Sequence, residues 1–66
     1  MMSSPYVIVP ERITQVNKHE YIREAVTANH AEFFTVYTLE SGKARPVEDF
    51  KTYEAANTFV RSLMNL

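Results

Sequence analysis

Ala31-Glu32-Phe33-Phe34-Thr35-Val36-Tyr37-Thr38-Leu39-Glu40, followed by Ser41-Gly42 and then Lys43-Ala44-Arg45-Pro46-Val47, is the stretch on which the fold turns. Residues 31–40 are dense in aromatic and β-branched side chains, the types that fit a pleated, half-buried surface, and they read as a strand. Ser41-Gly42 is a two-residue turn signal, and glycine in second place suits a type I′ hairpin. A two-residue loop pairs Glu40 with Lys43, Tyr37 with Pro46, Val36 with Val47 and Phe33 with Phe50. Pro46 has no N–H for a ladder, so the second strand of this hairpin belongs at a sheet edge.

The first strand of the hairpin is apolar on both faces. Phe33, Tyr37 and Leu39 fall on one and Phe34 and Val36 on the other, so both want cover. The C-terminal stretch supplies a helix for one of them, over about 53–65. Thr52 suits its N-cap and Glu54 its first turn. Ala55, Phe59 and Leu63 form one row and Ala56, Val60 and Met64 the next, a continuous apolar face with Asn57 and Arg61 off it. In the register above, Phe34, Val36 and Val47 lie on the sheet face away from this helix. They are the residues expected to contact another protein.

Toward the N-terminus, residues 1–5 are expected to be disordered. Tyr6-Val7-Ile8-Val9 reads as a short strand limited by Pro10. Residues 11–16 fit either an extended segment or the start of a helical stripe. Asn17-Lys18-His19-Glu20 has the spacing of a capping box. Tyr21 with Ala25 and Ile22 with Val26 form i,i+4 rows, and Asn29 suits a helix end. These features favour a short helix over 18–28. The rival, a strand over 20–28, sets Glu24 between Ile22 and Val26 on one face. The whole is a single α+β domain over 6–66. A small antiparallel sheet with a central hairpin is packed by the C-terminal amphipathic helix and by this second short helix.

The bulk numbers exclude more than they assign. The chain has 66 residues, 45% hydrophobic and 23% charged, one Gly and no Cys. That is the balance of a folded domain rather than a disordered tail. A chain this short builds only a small core, and without cysteine neither a disulfide nor a thiolate metal site reinforces it, so the domain is either marginal by itself or gains stability from a partner or a second copy. Seven Lys plus Arg against eight Asp plus Glu give a net charge of -1, without the basic excess of a phosphate-driven binder. The longest apolar run, Tyr6 to Val9, is far too short to span a membrane or serve as a signal core. The cytoplasm is the expected location.

Candidate chemistry is thin. Gly42 alone makes neither a dinucleotide fingerprint nor a phosphate loop, and Pro46 opposes the helix that a phosphate loop needs. His30-Ala31-Glu32 has the H-x-E spacing of zinc deaminases, but their cysteine ligands are missing. A site of His19, His30 and Glu32 has no spacing that enforces it, so no metal or other cofactor is expected. Glu48 and Asp49, adjacent on a strand, point to opposite faces. Ser3, Ser4, Ser41 and Ser62 have no nucleophile context. The expectation is a small non-enzymatic regulator, adaptor or inhibitor that binds itself as a homodimer, or another protein. The alternative is a nucleic-acid-binding regulator using Lys43, Arg45 and Lys51, with Glu40, Glu48 and Asp49 blunting their potential.

Overall fold

The computed structural model describes residues 5–65. Strand β1 (Tyr6–Asn17) turns at residues 18–19 into β2 (Glu20–Ala25). A short 3-10 turn (Ala28–His30) leads to β3 (Phe33–Glu40), β4 (Lys43–Phe50) and helix α1 (Tyr53–Met64). The sheet order is β2-β1-β3-β4, antiparallel throughout. The α+β class, the antiparallel sheet, the hairpin and the C-terminal helix are therefore as expected. The second short helix is reduced to the 3-10 turn.

The expected helix over 18–28 is a strand, and the capping-box spacing is put to another use. The Asn17 side-chain oxygen accepts the His19 N–H at 2.9 Å, while its amide nitrogen donates to the Glu20 carboxylate. The same residues thus close a tight turn instead of opening a helix. Glu24 is tolerated between Ile22 and Val26 because no core lies over that face. It faces Arg12 across the ladder and accepts from it at 2.9 Å, and from Thr14 at 3.0 Å. Strict apolar alternation is needed only where a strand is half-buried.

Pro10 does not end β1. Leu39 N–H donates to the Pro5 carbonyl at 2.8 Å, which turns the odd-numbered residues of β1 toward β3. Val26 N–H donates to the Pro10 carbonyl at 3.0 Å, so the even-numbered residues turn the other way. The N–H that Pro10 lacks would point to the same side, at the end of β2, so its loss costs no bond to β3. The first half of β1 pairs with β3 and the second half with β2, the two pairings meeting at Glu11. Residues 12–24 consequently form a two-stranded arm, and the molecule is 44 Å in its longest dimension and 17 Å in its thinnest. Pro5 is already tied into the ladder by the Leu39 bond. Residues 1–4, the remainder of the segment expected to be disordered, lie outside the described residues.

The β3–β4 turn is as expected. Ser41 and Gly42 have φ of 51° and 78°, the positive pair of a type I′ turn, and Glu40 faces Lys43. Tyr37 faces Pro46, but Val47 is then an extra residue. Val36 pairs with Glu48, and Phe34, not Phe33, pairs with Phe50. This one-residue bulge moves Phe50 to the face of Phe34 and Val36, and α1 follows Phe50 onto that face. Val36 is fully buried with Ala56 and Val60, and Tyr6, Ile8, Phe34, Phe50 and Phe59 pack around them. The expected contact surface is corrected accordingly: Phe34 and Val36 lie under the helix, and Val47 sits exposed in the bulge of the edge strand.

Helix α1 begins as its sequence indicates, with the Thr52 hydroxyl accepting the Ala55 N–H at 3.1 Å. Its buried seam is Ala56 and Val60, with Phe59 and Leu63 beside it, while Ala55 and Met64 stay exposed at its margins. The Phe59 ring lies 5.1 Å from that of Phe50, and Phe34 meets Tyr53 edge to face at 6.2 Å. Phe59→Ala is expected to cost about 3 kcal/mol, the low end for a phenylalanine truncation because the ring is half-buried. A urea midpoint within error of the parent would show that the helix does not carry the core.

Candidate functional site

On the face away from α1, four strands contribute to one polar cluster. Glu11 of β1 and Thr35 of β3 are 5% and 0% exposed, although no helix covers them. Arg23 of β2 covers them. Its guanidinium bonds Asp49 of β4 through both terminal nitrogens at 3.0 and 2.8 Å, and reaches Glu11 and Thr35 at 3.2 Å each. Across a flat sheet, β2 and β4 stand ~14 Å apart, farther than an arginine spans. The sheet must coil over this face for the pair to close. Phe33 supplies the floor, with the guanidinium carbon 5.1 Å from its ring centroid.

Thr35 Oγ1 lies 2.8 Å from both Glu11 Oε1 and Asp49 Oδ1. A hydroxyl has one proton to give, so it serves one carboxylate at a time, and the guanidinium holds the two acids together. The Tyr37 hydroxyl donates to the other Glu11 oxygen. The guanidinium is held protonated more firmly than usual, chiefly by its hydrogen bonds to Asp49. Asp49 is held below the ordinary carboxylate range, first by Arg23, with Thr35 helping against its partial burial. The Tyr37 phenol is pushed up, first by burial and then by Glu11. Both acids of the cluster accept from the Arg23 guanidinium, which suits a structural clamp.

The second feature is the set of strand edges. The outer edge of β4 is guarded by Pro46 and the bulge, with Lys43 and Lys51 at its ends. The second half of β1, beyond the reach of β3, is guarded by side chains. Glu32 accepts the Ile13 N–H at 3.1 Å and Gln15 donates to the Asn17 carbonyl at 3.1 Å. The outer edge of β2 has no such guard. Tyr21, Arg23 and Ala25 turn their backbone groups outward there, since Ile22, Glu24 and Val26 turn theirs to β1. Ile13, Val16, Tyr21 and Ile22 on the arm are 47%, 57%, 61% and 50% exposed.

The residues singled out in the sequence do not gather into one site. Lys43 and Arg45 stand at one end of β4 and Lys51 at the other, ~25 Å away along the strand. All three are exposed, and Arg45 is 3.7 Å from Glu40. His19 lies in the β1–β2 turn and His30 in the 3-10 turn. Among the described residues, no three acidic, histidine or cysteine side chains are placed to hold a metal ion. Glu48 and Asp49 do diverge, and it is Asp49 that joins the cluster. Arg23 and Glu11 carried no signal alone, because only the coil of the sheet brings them together. No helix among the described residues is long and apolar enough to cross a membrane. Comparison with protein families, curated proteins and solved structures finds no match.

Two of the clamp's three shifted groups, Asp49 and Tyr37, set its pH limits. Asp49 is more acidic folded than unfolded, so its stabilisation is full above about pH 4 and lost as pH falls through the folded value. Tyr37 is the reverse: its stabilisation is full below about pH 10 and lost as pH rises through the folded value. Melting temperatures taken from about pH 2 to about pH 11 should show Asp49→Asn flattening the acid limb and Tyr37→Phe the alkaline limb. Unchanged limbs in both variants would mean that the cluster is not formed in solution.

Proposed function

We propose that this chain is a small, non-enzymatic protein-binding regulator that acts as a homodimer, and that its self-contact is the outer edge of β2. The observation that carries the reading is the contrast between edges: β4 and the far half of β1 are guarded, whereas β2 carries no proline or lysine, and the one irregularity in its ladder is the extra residue Val16 on β1. A two-stranded arm is marginal by itself in water, and its exposed Tyr21 and Ile22 gain cover only from another molecule. The edge is self-complementary. Two copies related by a two-fold axis at Ile22 set Ile22 against Ile22 and bond Tyr21 to Arg23 of the second copy in both directions. Glu20 then faces Glu24 of the second copy, whose charge Arg12 and Thr14 already compensate. The result is a continuous eight-stranded sheet.

An adaptor or inhibitor role for the dimer fits the pairing of the clamp's acids with Arg23 and the separation of the basic residues. We place the protein in the cytoplasm as part of the same proposal, in keeping with the absence of cysteine. Sedimentation equilibrium should return twice the 7.6 kDa chain mass at high micromolar concentration. Ile22→Lys should return the single mass while keeping the parent circular dichroism, because it sets two ammonium groups face to face across the two-fold. A monomeric parent, or a variant that stays dimeric, contradicts the reading.

A further inference from the structure

The first half of β1 has an open edge of its own, on the opposite side from β3. Ile8 turns its N–H and C=O outward there, by the same parity that turns the Pro10 carbonyl toward Val26. Beside this edge, between β1 and α1, runs an open groove of about 360 Å³ lined by Ile8, Tyr53, Asn57, Val60 and Arg61, with Tyr6 and Met64 at its far end. Arg61 is the only charged side chain in the lining, and it makes no ion pair or side-chain hydrogen bond with any described residue. It stands in the last turn of α1, where its full charge outweighs the half-charge of the helix end.

We propose that this groove binds an extended peptide carrying a carboxylate, which adds as a strand to β1 at Ile8. The peptide backbone occupies the line that β2 takes farther along β1, and its bonds to Ile8 fix the register. One side chain enters between Ile8 and Val60, with the Asn57 amide available to a backbone group. A peptide antiparallel to β1 runs toward the Tyr6 end of the groove. Because α1 runs back along β1 from Tyr53 to Arg61, the end of such a peptide reaches the guanidinium, and the charge match is to a carboxylate. The groove lies within the range of volumes that bind small ligands and peptide side chains. It is separate from the β2 edge, so it stands or falls independently of the dimer.

The test uses two random hexapeptide libraries, one with free C-terminal carboxylates and one amidated, selected against the full chain. Peptides enriched from the first library alone identify a C-terminal carboxylate, and acidic side chains enriched from both identify a side-chain carboxylate. Either outcome supports the proposal if Arg61→Glu weakens the selected peptide tenfold or more and if the peptide slows exchange of the Ile8 amide. Three results overturn it: no enrichment from either library, equal binding by the Arg61→Glu variant, or amide shifts confined to the face of Glu11 and Thr35. Arg61 is exposed and outside the core, so its variant is expected to fold, and circular dichroism checks that.

Discussion

The extra residue at Val47 is the constraint from which the rest of the structure follows. By inserting one residue between two pairings of β3 and β4, it sets Phe50 beside Phe34 and Val36. Helix α1 begins three residues after Phe50 and covers that face. The face of Thr35 is left without a helix, and the sheet solves this with charge. Arg23 lies across it, bonded to acids on β1 and β4. Arg23 and Asp49 are half-exposed, so their pairing adds little net stability, but removing Arg23 strips the buried Glu11 carboxylate of its counter-charge, so the cluster specifies the coil of the sheet. The same coil carries the arm away from α1 and leaves its outer edge without a neighbour.

The unpaired backbone groups then distinguish the edges. In a small sheet with four strands, unpaired N–H and C=O groups are many relative to the core, and each needs water, a side chain or a partner. Here one edge is closed by proline and a bulge and another by Glu32 and Gln15. Two stretches stay open, at Tyr21 to Ala25 and at Ile8. One is self-complementary and carries exposed apolar side chains, which matches a second copy of the chain. The other borders a groove with a lone guanidinium, which matches an extended peptide carrying a carboxylate.

How much of this was legible in the sequence depends on the range of the interaction. The type I′ turn at Ser41-Gly42, the Thr52 cap and the apolar seam of α1 are local, and residue type alone indicates them. The arm was not legible, because Asn17 and Glu20 at three-residue spacing serve a turn as readily as a helix cap. Tyr21 to Val26 also carries i,i+4 rows although it is extended. Pro10 misled for a related reason: whether a proline ends a strand depends on which side its missing N–H faces, a fact of topology. The bulge at Val47 leaves no mark in a stretch where Val36 opposite Val47 looks ideal, and that single slip reversed the assignment of faces. Phe34 and Val36 are apolar because they are core. The exposed apolar residues of the arm, Tyr21 and Ile22, sit in a segment whose i,i+4 rows point to a helix it does not form.

Amide hydrogen exchange on β2 at low and high protein concentration addresses the open edge most directly. Ile22 and Glu24 donate to β1 in every copy, so their amides should be protected alike at both concentrations. Tyr21 and Arg23 face outward, and their amides should exchange fast when dilute and slow markedly when concentrated. Fast exchange at Tyr21 and Arg23 at every concentration would mean that the edge stays unpaired and that β2 is not where two copies meet.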